Sequence, residues 1–172
     1  SSTNMIVWYL MAKAGLKKDD AAFIGVGAGA GAVAAIQKGE IDAISNIDPV
    51  MAKLEKEGLI KIVAETRTTA GTTAVFGGPM PAAVLYMKRD FMAKNPNTVQ
   101  ALVNSFYKTL VWMKKASPEE ITDKVPPEYL LGDKATYVAA VKASLQTYSL
   151  DGIVSADGQK RSLAFLKQFE AD

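Results

Sequence analysis

Residues 1–66 alternate helix-like stretches with short apolar runs, and glycines separate most of them. Three helix-like stretches end at Gly15, Gly39 and Gly58, and glycine is the residue that most often ends a helix in the left-handed conformation. The intervening runs AAFIGV, IDAISNI and LIKIVAE have the apolar and β-branched content of buried strands. Helices and strands that alternate at these lengths predict α/β crossovers and a parallel sheet.

The sequence pattern changes after residue 66. Residues 66–81 are rich in turn formers and predict a loop or a short irregular hairpin, and the run AAVLYMKRDF predicts one more strand. The chain is then helical in pattern, starting with the segment 96–116. In that segment, apolar residues recur at helical spacing at Val99, Leu102, Val103, Phe106, Leu110 and Met113. We expect a boundary between the two parts near residues 80–95.

Capping signals predict three further helices. Ser117 and Glu120 have the spacing of a capping box, Asp133 is placed to begin the next helix, and Ser155 or Asp157 to begin the last. At the other end of the chain, the first helix has no strand before it, whereas each helix of a doubly wound sheet joins two strands. We therefore expect a strand upstream of the first residue and a chain that is a fragment.

Composition restricts the classes of function. An apolar content of 49% in 172 residues can bury the core of one domain or parts of two. The net charge is +2, with 20 basic and 18 acidic residues mixed along the chain, so neither nucleic acid nor a membrane surface is an expected partner. No apolar run has the length of a membrane span, and the opening residues lack the charged start of a signal peptide.

No group of residues has the pattern of an active site. The chain has no cysteine and no histidine, which removes thiol and imidazole nucleophiles and soft metal ligands. The acidic pairs at 19–20, 55–57 and 119–120 fall in predicted turns or on exposed helix faces rather than in apolar pockets. Five aromatic residues on helices are expected in the core: Trp8, Tyr9, Phe106, Tyr107 and Trp112. We predict a protein that is not an enzyme, with no catalytic residue, no metal and no cofactor.

The glycine-rich stretch GVGAGAGAVAAIQKGEIDA, residues 25–43, permits three interpretations. Gly25, Gly27 and Ala30 match the G-x-G-x-x-A fingerprint, so a dinucleotide-binding enzyme domain that uses the 25–31 turn is the alternative function. A second interpretation is that small residues let a helix pack closely on a strand. In the third, backbone N–H groups at a helix N-terminus bind a polar or anionic group. The second and third interpretations are compatible with each other.

Polar residues are predicted to gather at one edge of the sheet. Open parallel sheets bind ligands at the carboxyl ends of their strands, and the first helix begins at that same edge. Helix capping is the alternative role of Ser2 and Thr3, and of Asp48 before Pro49. The predicted ligand-binding residues are Ser1, Ser2, Thr3, Asn4, Gly27, Ala28, Gly29, Asn46, Asp48 and Arg67.

Four segments carry a family resemblance: SSTNMIVWYLMAKAGLKKDD, GVGAGAGAVAAIQKGEIDAISNIDP, FMAKNPNTVQALVNSFYKTLVWM and SPEEI…VPPEYL. Together they resemble the nitrate/sulfonate/taurine-type solute-binding proteins of bacterial ABC importers. The glycine turn is the strongest motif, followed by AAIQKGEIDA and a predicted strand that ends in DP. The resemblance covers nearly the whole chain and corresponds to the second part of a full family member.

The resemblance implies a fold of the type II periplasmic-binding-protein kind, in which two α/β lobes close on a solute. Residues 1–85 would form the second lobe without its first strand, and residues 86–172 the strand, hinge and helices that return to the first lobe. The serine-rich helix start and the loops at 27–29 and 46–48 would line the cleft. Enzymes of a related fold, such as thiamin-precursor synthases, need histidine- and cysteine-bearing motifs that this chain lacks.

The resemblance also implies partners and a location. The partners would be a small-molecule solute and the membrane permease of an ABC importer. The location would be the periplasm, or the cell surface through a lipid anchor. A fragment that exposes a sheet edge is also expected to associate with itself.

Overall fold

The computed structural model describes residues 2–130, 133–149 and 151–169. Regular secondary structure in this part of the chain is helical. The described elements are α1 (Ser2–Lys13), a 3-10 turn (Lys18–Asp20), α2 (Ala30–Gln37), α3 (Val50–Lys56), α4 (Thr69–Phe76), α5 (Arg89–Lys94), α6 (Pro96–Met113), α7 (Pro118–Thr122), a 3-10 turn (Pro127–Tyr129), α8 (Lys134–Ser144), a 3-10 turn (Leu145–Thr147) and α9 (Ala156–Leu166).

Glycines end the first three helices, as the sequence predicts. Gly15, Gly39 and Gly58 have φ angles of 77°, 68° and 69°, in the left-handed region where a residue without Cβ is unstrained. After α3, the backbone N–H of Leu59 donates to the carbonyl of Leu54 at 3.0 Å, which satisfies an acceptor that the helix leaves unused.

Capping side chains fix the starts of two later helices. Before α7, the backbone N–H of Ser117 donates to Glu120 Oε2 at 2.8 Å, and the N–H of Glu120 donates to Ser117 Oγ at 3.1 Å. The predicted capping box is therefore confirmed. At α9, Ser155 rather than Asp157 is the cap, since its Oγ accepts from the N–H of Gly158 at 3.0 Å.

Contacts divide the chain into two compact units, and each unit is built from two separate stretches. The first comprises residues 1–64 and 122–143, and the second comprises residues 65–121 and 144–172. The family-based division of the chain at residue 85 stays a prediction.

The core of the first unit lies where α2 meets α3. Its buried residues are at most 5% exposed and come from these two helices: Ala32, Val33, Val50 and Leu54. Apolar side chains from three extended segments pack against it, at Val26, Ile44 and Ile60. All three segments had been predicted as strands, so the sequence pattern identified residues that face this core.

The predicted α/β fold with a parallel-sheet lobe is wrong for the described residues, because they contain no β-strand. Among these residues, no backbone hydrogen bond joins one predicted strand to another. Ile24 is 65% exposed and Val63 93% exposed, so the runs are covered on one side at most. An apolar run indicates that some of its residues are buried. A β-strand also needs a neighbouring strand at about 4.8 Å to which its backbone is hydrogen-bonded. The expected self-association was based on an exposed sheet edge, and the described residues contain no sheet.

The predicted loop or hairpin over residues 66–81 is also wrong, because α4 occupies its middle. Thr68 caps this helix by accepting from the N–H of Gly71 at 2.9 Å, and Gly77 ends it with φ 80°. The strand predicted for AAVLYMKRDF is absent as well, since residues 82–88 are irregular and the last three residues of the run begin α5.

Aromatic packing forms part of the core of the second unit. The rings of Phe76 and Phe165 meet edge to face at 5.6 Å, and Phe165 meets Phe169 in the same way at 5.2 Å. Arg161 reinforces this contact between α4 and α9. Its Nη1 donates to the carbonyl of Phe76 at 3.1 Å, and its Nη2 pairs with Asp157 at 2.9 Å.

The predicted helix over 96–116 is confirmed as α6, but its aromatic residues are not in a core. Phe106 is 55% exposed, Tyr107 53% and Trp112 39%, and α6 has no buried residue. The prediction of core positions for these three residues is therefore wrong, and α6 has an open apolar face.

Asp133 caps α8, as predicted, and also connects it to α3. Its carboxylate accepts from the N–H of Thr136 at 3.0 Å and pairs with Lys56 Nζ at 2.9 Å. The hydroxyl of Thr136 also donates to this carboxylate, and Lys56 Nζ donates to that hydroxyl oxygen at 3.0 Å. The hydrogen bonds from Thr136, followed by those from Lys56, hold the pKa of Asp133 well below its usual range.

We expect Asp133→Asn to lower the melting temperature at pH 7, and the difference from the native chain to shrink in acid. Because folding lowers the pKa of Asp133, its carboxylate adds stability above the unfolded-state pKa of about 4. That stability is lost as the pH falls toward the folded-state pKa. Thermal melts at pH 7, 5, 3 and 2 measure the effect, with the exposed Glu128→Gln as control. A difference that stays constant with pH would contradict the assignment.

Candidate functional site

The first turn of α1 contains three of the predicted ligand-binding residues. Ser2, Thr3 and Asn4 lie inside the helix rather than before it, so Ser2 and Thr3 are not its caps, and Ser1 lies outside the described residues. The carbonyl of Thr3 accepts from Ser45 Oγ at 3.3 Å. This bond places the start of α1 beside the 45–48 loop.

A side chain from the 45–48 loop joins it to the glycine turn. Asn46 Nδ2 donates to the carbonyl of Gly27 at 2.8 Å, and its Oδ1 accepts from the N–H of Ile47 at 2.9 Å. Gly27 has φ 71°, which favours glycine there. The structure therefore brings together Gly27 and Asn46, two predicted residues that are far apart in sequence.

The glycine turn faces open space over most of its length. A Cβ built at Gly25, Gly27 or Gly29 would meet no atom within 4 Å, whereas one at Gly31 would lie 3.6 Å from the carbonyl oxygen of Val26. Close packing thus fails to explain the first three glycines. Ala28 is exposed beside them.

The start of α2 lacks a side-chain cap. Gly29 occupies the N-cap position and has no side chain to accept from the first turn. Ala30 and Gly31 at this start are exposed, so their amides can meet water or a polar or anionic group, whereas the buried Ala32 donates to the carbonyl of Gly29 at 3.1 Å. This geometry is compatible with the interpretation in which backbone N–H groups at the start of α2 bind a polar or anionic group.

The dinucleotide fingerprint lacks its structural context. That motif needs a strand before the glycine turn and an acidic residue that reaches the ribose. Residues 22–28 form no strand. Asp48 is the acidic residue at the right distance in sequence. Its carboxylate accepts from the N–H of Ala52 at 3.0 Å and so caps the start of α3, although Pro49 occupies the N-cap position itself.

Arg67 belongs to the other unit. Its Nε pairs with Glu65 Oε1 at 2.6 Å, and both side chains are partly exposed. The carboxylate compensates the guanidinium charge, so this charge is not freely available to a ligand. The opposite charges two residues apart were the signal for this pair.

The predicted residues in the first unit offer uncharged hydrogen-bond donors, and Asp48 is the charged residue among them, with a carboxylate that accepts the capping hydrogen bond from Ala52. Hydroxyls, the carboxamides of Asn4 and Asn46 and helix N-terminal amides can together replace the hydration shell of a small polar or anionic group. Ser45 belongs with them and was missed, although its place directly before Asn46 was the available signal. Within the described part of the chain, no cluster of three or more acidic residues is placed to hold a metal ion.

A shallow cavity of about 290 Å³ lies on the first unit beside α2. Ala30, Val33, Gln37 and Lys53 line it, and no predicted ligand-binding residue is among them. Gln37 Nε2 donates to Glu57 Oε2 at 3.0 Å, so a neighbouring residue already uses part of this polar lining. Because Ala30 is also the last position of the G-x-G-x-x-A match, the cavity borders the end of the glycine turn.

A family model described as the NMT1-like family matches residues 1–125 of the chain. The chain belongs to the NMT1-like family. NMT1-like proteins are substrate-binding proteins of ABC transporters, which confirms the resemblance at that level. No curated protein matches the chain. Within the described residues, no helix of this NMT1-like chain is long and apolar enough to cross a membrane.

The NMT1-like chain is also similar to a solved structure of a protein from Bordetella bronchiseptica RB50. The two sequences are 50% identical, and the match covers 100% of this chain with a TM-score of 0.93. It covers 54% of the solved chain, so this chain spans about half the length of that relative.

Proposed function

We propose that this NMT1-like chain is part of a protein that binds a small polar or anionic solute and delivers it to the permease of an ABC importer. Membership of a family of ABC-transporter substrate-binding proteins carries the proposal. As a more specific part of the proposal, the solute is of the nitrate, sulfonate or taurine type. The proposed location is the periplasm, either free or through a lipid anchor at the cell surface.

The proposed binding surface comprises the first turn of α1, the glycine turn and the 45–48 loop. Two hydrogen bonds support it, since Ser45 joins the loop to Thr3 and Asn46 joins it to Gly27. Hydroxyls and amides would replace water around the solute, and residues 1–85 would supply one wall of the cleft. Arg67 is not part of this surface, because it lies in the second unit, where it pairs with Glu65.

We expect the double variant Ser2→Ala with Asn46→Ala to bind its solute at least about tenfold more weakly, since each removed hydrogen bond contributes roughly 1 kcal/mol. The variants are made in this chain and at the aligned positions of the longer Bordetella relative. Calorimetry with nitrate, taurine and methanesulfonate measures the affinity. Asn97→Ala on the exposed surface of α6 is the control.

Three outcomes would contradict parts of the proposal. Unchanged affinity in the double variant would overturn the assignment of the site. Absence of binding for all three probes in the native relative would overturn the solute class. A rise in melting temperature with NAD that the double variant does not change would instead favour the dinucleotide-binding alternative at the 25–31 turn.

A further inference from the structure

The motif Ser-x-Asp-Gly occurs twice near the end of the chain, at residues 149–152 and 155–158. In both copies, the serine Oγ accepts from the backbone N–H of the glycine at 3.0 Å. The second copy forms the start of α9, whereas the first lies in an irregular turn before that helix. The chain therefore contains one motif in two backbone settings.

An aspartate followed by glycine can rearrange through a five-membered ring. The glycine nitrogen bonds to the aspartate Cγ, and the amide proton leaves with the carboxyl OH as water, which gives a succinimide. Water then adds to one of the two ring carbonyls and breaks its bond to nitrogen. Opening at the main-chain carbonyl leaves the glycine joined through the side chain, as isoaspartate, and no oxidant or cofactor is consumed. Glycine favours the reaction because no Cβ hinders the approach of its nitrogen.

The first copy leaves both reacting residues open to solvent, since Asp151 and Gly152 are exposed. Gly152 has φ 73°, in the left-handed region, and a Cβ built on it would lie 3.4 Å from Leu110 Cδ1. The turn thus favours glycine at this position, and with it the unhindered nitrogen.

The second copy is held by its helix. Gly158 is buried, and a Cβ built on it would lie 3.0 Å from both Pro81 Cδ and Ser155 Oγ. The carboxylate of Asp157 pairs with Arg161 Nη2 at 2.9 Å. Ring closure at this copy therefore requires the first turn of α9 to open, at a cost in free energy.

The Ser149 hydroxyl contacts both reacting groups of the first copy. It donates to Asp151 Oδ1 at 2.9 Å and accepts from the N–H of Gly152 at 3.0 Å. The N–H of Ile153 donates to the same Oδ1 at 2.9 Å. The hydrogen bond from Ile153, followed by the one from Ser149, lowers the pKa of Asp151, and the charge of Lys114 acts in the same direction. Because the carboxyl must be protonated to lose its OH as water, these contacts slow ring closure.

We propose that the Asp151–Gly152 peptide is a site of spontaneous modification to isoaspartate, and that the hydroxyl of Ser149 slows this modification. Isoaspartate adds one carbon to the main chain, so it changes the turn that packs against Leu110. The inference concerns the second unit and does not rest on the proposed solute site.

The test incubates the native chain at pH 5 in water labelled with a heavy oxygen isotope, since opening of the ring adds one labelled oxygen. Peptide mapping measures the label and the isoaspartate at each copy. Asp151 should be modified at least about fivefold faster than Asp157, because closure at Asp157 has to wait for α9 to open.

Three variants test the role of the hydroxyl. Ser149→Ala should raise the rate at Asp151 about fivefold, as expected for the loss of one hydrogen bond, and leave the rate at Asp157 unchanged. Ser149→Thr keeps the hydroxyl and should stay near the native rate. Asp151→Glu should nearly abolish labelling at that position, because glutamate would have to form a six-membered ring.

Equal or faster modification at Asp157 in the native chain would overturn the choice of site. An unchanged rate at Asp151 in Ser149→Ala would overturn the role of the hydroxyl. So would a slower rate, which would mean that the hydroxyl passes the amide proton to the carboxyl. An equal rise at both copies would show a general loosening of the second unit and would also contradict that role.

Discussion

Leu54→Ala is expected to lower the free energy of unfolding by about 3 kcal/mol. Leu54 is 0% exposed and lies in the cluster with Val33 and Val50, where α2 meets α3. Truncation to alanine removes apolar contacts and leaves a cavity, and substitutions of this kind cost about 2–5 kcal/mol. Urea unfolding followed by circular dichroism measures the change as a shift in midpoint.

Leu59→Ala is the matched control, because Leu59 lies close in sequence and is 43% exposed. Its cost should stay below about 1 kcal/mol. Equal effects of the two substitutions would show that the α2–α3 cluster is not the core of the first unit. A Leu54→Ala chain that does not fold can be replaced by Leu54→Met, which keeps the volume and should cost less than about 1.5 kcal/mol.

Gly71→Ala is expected to destabilise the protein by about 1–3 kcal/mol, although alanine normally favours a helix by about 1 kcal/mol over glycine. A Cβ at this position would overlap the backbone carbonyl of Glu65 and lie 3.0 Å from Thr68 Oγ1. The first obstacle is backbone and cannot rotate away, and the second is the cap of α4. Thermal unfolding measures the loss.

Gly25→Ala provides the comparison, since a Cβ there meets no atom within 4 Å and the backbone does not need glycine. It should be neutral or slightly stabilising, because alanine restricts the unfolded chain. If Gly71→Ala raised the melting temperature as much as Gly25→Ala did, the close approach of α4 to the carbonyl of Glu65 would be wrong.

The helices were largely predictable, because their signals lie within a few residues of each helix end. The capping box at Ser117 and Glu120 and the glycine after each early helix act locally. The start of α4 was missed because the threonines near Thr68 were interpreted as turn formers, whereas one of them is a cap. The absence of β-strands from the described residues was not predictable, because strand formation depends on a pairing partner that an apolar run does not specify.

Of the predicted ligand-binding residues, the proximity of Gly27 and Asn46 was predictable, whereas side-chain pairing was not. Gly27 and Asn46 were expected at one edge of a sheet, and they are in contact although that sheet is absent. Gly27 directly follows the run AAFIGV and Asn46 lies near the end of the run IDAISNI, and Val26 and Ile44 of these runs pack against the same α2–α3 core. The pairing of Arg67 with Glu65 depends on side-chain geometry. The role of these residues toward a ligand stays a prediction.

The link between α3 and α8 affects how the chain folds during its synthesis. Lys56 and Asp133 are 77 residues apart, and the segment between them includes most of the second unit. At roughly 5–20 residues per second, the ribosome releases Asp133 about 4–15 s after Lys56. The contact between α3 and α8 therefore forms only after residues 65–121 of the second unit have been synthesised, whereas the residues of the α2–α3 core all precede residue 61.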